Sequence, residues 1–97
     1  MKECNSLQEV RDQIDILDDK LVELISQRSH YIRQAASFKE SIDEVKEEER
    51  IDFIMQKVRT KAIELGVSAN MISDLFKIMI DEMVETEIAE FRNAGKF

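Results

Sequence analysis

Proline is absent from this chain of 97 residues, and glycine occurs only at Gly66 and Gly95. Turn chemistry is therefore scarce and long helices meet no obstacle, which favours an all-helical reading. The single cysteine, Cys4, excludes an internal disulfide and suits a reducing compartment; in its polar N-terminal setting it reads as incidental. One histidine, His30, gives no paired ligand spacing, so neither a metal site nor a Ser–His–Asp set can be assembled. A Gly-rich phosphate loop is missing too. No run of about 18 apolar residues and no secretory h-region occurs, so the chain reads as soluble and cytoplasmic, with no metal and no cofactor. A net charge of −7 argues against nucleic acid and against anionic membrane surfaces as partners. Any small anionic ligand then needs a local cluster of cations.

What is present is a long apolar stripe at Leu7, Val10, Ile14, Leu17, Leu21 and Leu24, resuming at Tyr31, Ala35 and Phe38. Intervals alternating between three and four put these side chains on one face of an α-helix. The spacing predicts one helix over Leu7–Lys39, about 33 residues and roughly 50 Å long. That exceeds the core a chain of this size builds, with a radius of gyration of about 13 Å. Its stripe is expected to continue against a second copy. Asn5 or Ser6 can cap its start.

Residues 40–49 lose the stripe and turn acidic, with Glu40, Asp43, Glu44, Glu47, Glu48 and Glu49. They read as a solvated loop whose carboxylates favour the next helix N-terminus. A second stripe at Ile51, Ile54, Val58, Ala62 and Leu65 predicts a short helix ended by Gly66. Ser68 can cap a third, carrying Ile72, Leu75, Phe76, Met79, Ile80, Met83, Val84, Ile88 and Phe91 and running to about Asn93. The expected architecture is one all-α domain over 1–97, core about 7–93, of three helices: long, short and medium.

Several charges lie out of place. Arg28 occupies a stripe position where an aliphatic residue is due, and a guanidinium keeps its charge, so an anion is expected to meet it. On a continuous helix Lys39 would share its face within about 20°, at about 16 Å, a span suited to one substituted six-membered ring. Arg11 lies roughly 25 Å before Arg28 along the axis. It can join the same ligand only from the partner of an antiparallel dimer; alone it would read as a surface residue pairing with Asp15. Arg50 opens the second helix, with surface placement the plain alternative. Glu87 sits on an apolar face with Phe91 four residues on, so it either reaches solvent at the helix edge or is buried. Without a nucleophile or a metal, the chemistry left to such a set is orientation and electrostatic stabilisation.

Taken together, VRDQIDILDDKLVELISQR at 10–28, YIRQAASFK at 31–39, the Glu49–Arg50 pair and LFKIMIDEMVETE at 75–87 resemble the all-helical chorismate mutases and their relatives, the isochorismate pyruvate-lyases. Arg11, Asp18, Leu21 and Arg28 match the first-helix signature; the third-helix match is mostly hydrophobic. The resemblance implies an intertwined homodimer in which each site takes an arginine from the neighbouring first helix. It implies Arg11 of the partner and Arg28 on the substrate carboxylates, and Lys39 on the ether oxygen of the breaking C–O bond. Arg50 would add positive potential, Glu47 (or Glu48, if the loop shifts by one) would stand near the ring hydroxyl, and Glu87 would face the ether oxygen. The implied reaction is the pericyclic rearrangement of chorismate to prephenate. To donate to an ether oxygen Glu87 must be protonated, so turnover is expected to fall with rising pH, and Glu87→Gln to flatten that dependence.

Three positions depart from the best-known bacterial mutases. Ile51 replaces a glutamate, Met83 stands where serine is common in the substrate site, and Glu87 where glutamine is common. Ile51 and the length of the Lys39–Arg50 loop look more like the lyases, which release pyruvate and salicylate; Glu87 does not. A non-catalytic helical dimerisation or regulatory module is the reading from another class, disfavoured by Arg28, Lys39 and Glu87 together.

Overall fold

A computed structural model of the chain describes residues 1–41, 44 and 46–95; Asp43 of the acidic loop lies outside the described residues. Those residues form three helices and no strand: α1 over Leu7–Ala36, α2 over Glu48–Glu64 and α3 over Ala69–Asn93. The chain divides into two compact units, Met1–Tyr31 and Ile32–Phe97.

The first unit is the N-terminal run of α1 with its lead-in. Ser6 caps it, its Oγ accepting from the Glu9 N–H at 3.1 Å, while Glu9 Oε2 accepts from the Asn5 N–H at 2.8 Å. One backbone donor of the first helical turn and one of the residue before the cap are thereby met by side chains. None of residues 1–31 is buried. Leu17, Leu21 and Leu24 of the stripe are 56%, 57% and 60% exposed. His30 meets Tyr31 edge to face at 6.3 Å between ring centroids.

The second unit is built on the packing of α2 against α3. Its buried apolar residues are Ala36, Ala62, Ile80, Met83 and Phe91, joined by one carboxylate, Glu87. The stripes place all but one of them: Ala62 belongs to the α2 series, and Ile80, Met83, Glu87 and Phe91 follow one another on α3 at three- and four-residue steps, whereas Ala36 is buried in place of the stripe's Phe38, which is exposed. Leu65, counted in the α2 stripe, is exposed because it lies at the helix end. The α2–α3 turn is dictated locally. Gly66 adopts φ +74°, its N–H reaches the Ile63 carbonyl at 3.2 Å, and the Val67 N–H reaches Ala62 at 2.9 Å, which closes a Schellman motif. Ser68 then caps α3 through the Met71 N–H at 3.2 Å. Across the turn, Arg59 Nη1 donates to the Ala69 carbonyl, to Asn70 Oδ1 and to Ser73 Oγ at 3.2, 3.2 and 2.6 Å, tying the two helices together.

The first helix stops at Ala36, earlier than its stripe predicts. The N–H groups of Ser37, Phe38 and Lys39 bond back three residues, to Gln34, Ala35 and Ala36, so the last turn tightens and the helix ends there. Lys39 therefore stands beyond α1, outside the continuous helix on which its alignment with Arg28 was drawn.

Candidate functional site

Among the described residues, Lys39 and Glu87 are two singled-out residues that the fold brings into contact. Lys39 leaves the tightened turn after α1, and Glu87 projects from the buried face of α3, one turn after Met83 and one turn before Phe91. Lys39 Nζ donates to Glu87 Oε2 at 2.8 Å, the short range of charge-assisted bonds. The side chains are 23% and 5% exposed, respectively. A carboxylate withdrawn that far from water is costly unless it is paired, and here the ammonium supplies the pair. Of the two readings open for Glu87, burial is the one observed.

Of the other expected residues, one shares α3 with Glu87 and the rest lie at the start of α2 or on α1. Met83 is buried on α3. Glu47 precedes α2 at its N-cap position and Glu48 begins the helix, both exposed. Their charge favours the helix N-terminus, as expected for this loop. Arg50 lies in the first turn of α2, exposed, with its guanidinium carbon 5.4 Å from the Phe53 ring centroid, a cation–π distance. Arg11 and Arg28 belong to the first unit. Arg11 is exposed, whereas Arg28 is half-buried with its Nη1 closed off from solvent.

Sequence reasoning did not single out an open groove of about 460 Å³ on the second unit, lined by Ile51 and Met55 of α2 and by Ile80 and Val84 of α3, with Lys77, Asp81 and Glu85 also in its wall. The four-residue steps Ile51–Met55 and Ile80–Val84 were the available signal. Neither Lys39 nor Glu87 lines this groove, so it is distinct from the charged pair. Among the described residues no cluster of three His, Cys, Asp or Glu side chains has the arrangement to hold a metal ion. No helix among them is long and apolar enough to cross a membrane.

Comparison with known proteins fits this arrangement. The isochorismate pyruvate lyase of Pseudomonas aeruginosa is 26% identical over 91 residues, covering 94% of this chain and 90% of the lyase. The bifunctional chorismate mutase/prephenate dehydratase of Buchnera aphidicola is 30% identical over 96 residues, and this chain spans 25% of its length. The chorismate mutase of Methanocaldococcus jannaschii is 29% identical over 76 residues, 77% of each chain. The sequence pattern of the chorismate mutase type II family matches residues 10–88. A match of that extent, over a fold of three helices, means that this chain belongs to the chorismate mutase type II family.

Proposed function

We propose that the protein is a chorismate mutase, rearranging chorismate to prephenate without cofactor or covalent intermediate. Arg28 and Arg11 of a partner subunit hold the two substrate carboxylates by bidentate contacts, which selects the reactive conformer. Lys39 donates to the ether oxygen as negative charge grows on it, Arg50 adds positive potential, Glu47 stands by the ring hydroxyl and Met83 forms part of the apolar wall. Donors of this kind, aimed where charge develops, are each worth about 10²–10³ in rate. The observation that carries the reading is the Lys39–Glu87 pair at 2.8 Å, an ammonium held at a buried carboxylate in a chain of this family.

The site requires a homodimer, whose two chains form one cytoplasmic catalytic unit. Support comes from the exposed leucines of α1: a row of apolar side chains 56–60% exposed on one helix face is what a second helix covers.

Isochorismate pyruvate-lyase activity is the second reading. It is favoured by the Pseudomonas aeruginosa relative and by Ile51, which follows Arg50 with an apolar side chain. Feeding the purified protein chorismate and isochorismate separately decides between them. Loss of chorismate absorbance with prephenate formed is expected; salicylate and pyruvate from isochorismate alone make it a lyase. Turnover of neither leaves a helical dimerisation or regulatory module.

A further inference from the structure

Arg50 has two neighbours one helical turn away, Glu47 before it and Phe53 after it. We propose that Phe53 is a positioning residue, whose ring holds the Arg50 guanidinium away from the Glu47 carboxylate so that both charges stay open to an anionic, hydroxyl-bearing ligand. This rests on the function proposed above, in which Arg50 and Glu47 serve the same ligand.

A residue at the N-cap and the residue three positions on face each other at a helix start. An acid placed before a base at that spacing is also the more favourable order for an ion pair. Glu47 holds the N-cap position of α2 and Arg50 lies in its first turn, both exposed. Yet no ion pair joins them among the described residues, and the Glu47 side chain makes no cap bond either. The Arg50 guanidinium carbon lies instead 5.4 Å from the centroid of the Phe53 ring. At an exposed site an ion pair and a cation–π contact are of similar strength, so the ring competes on equal terms.

The two contacts differ in what they leave for a ligand. A carboxylate cancels the charge and occupies part of the N–H fork. A ring has no lone pair to fill the fork, so the donors of Arg50 remain available to carboxylate oxygens. Glu47, kept apart from Arg50, has its acceptor oxygens available to a hydroxyl group. Phe53 is 56% exposed, so its ring does not fill the core, and replacing it probes the contact with little effect on packing.

The test compares wild type, Phe53→Leu and Phe53→Tyr, each with Glu47 intact and with Glu47→Gln, in steady-state kinetics with chorismate and isochorismate. Alongside it, the Arg50 Nε–H group is followed by NMR and assigned by its loss in Arg50→Lys. Phe53→Leu keeps an apolar side chain without the ring; Phe53→Tyr keeps the ring. With Glu47 intact, kcat/KM is expected to fall about two- to fivefold in Phe53→Leu, mainly through KM, and to stay near wild type in Phe53→Tyr. With Glu47→Gln, which lowers turnover in its own right, adding Phe53→Leu is expected to cause no further fall. The Nε proton, shifted by the ring current in wild type and Phe53→Tyr, is expected to move in Phe53→Leu to the position of an ion-paired arginine, and not to do so once Glu47→Gln is added. A Phe53→Leu enzyme as efficient as wild type, or a loss that persists undiminished with Glu47→Gln, overturns the inference. If wild type turns over neither substrate, the functional reading fails separately and the resonance decides the contact. A displacement in Phe53→Leu that depends on Glu47 supports it, and any other result overturns it.

Discussion

A lysine and a glutamate 48 positions apart meet at 2.8 Å with the glutamate buried, and this pair carries both a stability cost and a proposed catalytic role. The two are separable by mutation. Lys39→Met leaves the Glu87 carboxylate facing apolar neighbours, and breaking a buried pair in this way costs about 3–5 kcal/mol. The expected outcome in urea melts is a loss near the lower figure, since Lys39 keeps 23% exposure, together with a fall in turnover of about 10²-fold. Lys39→Met combined with Glu87→Leu should recover most of the stability and none of the activity; recovery of both would remove the pair from the mechanism. Arg28 gives a second prediction at this scale. Arg28→Lys preserves charge but not the planar fork, so kcat/KM should fall by about tenfold or more in steady-state kinetics.

At the scale of elements, the boundaries of α2 and α3 follow from a few local residues, and their stability should answer to those residues. Ser68→Ala removes the acceptor of the Met71 N–H and is expected to cost about 1 kcal/mol. Gly66→Ala meets no atom within 4 Å of the new Cβ, so its expected cost, about 1 kcal/mol, comes from φ +74° alone. Chemical denaturation measures both; an unchanged midpoint in either variant contradicts the cap that it tests. The α2–α3 turn and the start of α3 were legible in the sequence because caps and periodicity act over four or five residues, whereas α2 begins at Glu48, two residues before the Arg50 start read from the stripe. The end of α1 was not legible either. Nothing in Ser37–Phe38–Lys39 forbids another helical turn, and three backbone bonds of the tighter kind end it at Ala36. Arg59, which joins α2 to α3 through three acceptors, carried no signal in sequence, since a lone arginine on a helix is usually solvated.

At the scale of the whole molecule, the exposed face of α1 bears on the proposed dimer. Light scattering is expected to give twice the 11.3 kDa chain mass, and Leu21→Glu, placing a charge in the middle of the stripe, to give a monomer without turnover. A dimer unaffected by Leu21→Glu would mean that the pairing uses another surface. Sharing of sites has its own test: Arg11→Ala and Arg28→Ala chains, each inactive alone, should regain activity when mixed and allowed to exchange. The mixed dimer keeps one intact site only if the two arginines act from different chains, and no recovery would count against a shared site.

The sequence by itself determined the helical class, the caps at Gly66 and Ser68, the stripe positions Ala62, Ile80, Met83 and Phe91 of the core, and the odd charges at Arg28, Lys39 and Glu87. All of these follow from side-chain type and from periods of a few residues, which are local. Only the tertiary structure decided that Lys39 leaves α1 and finds Glu87, because no local period connects a turn after the first helix with the buried face of the third. Their meeting depends on where packing carries the chain, and packing is set by the sum of many contacts distant in sequence.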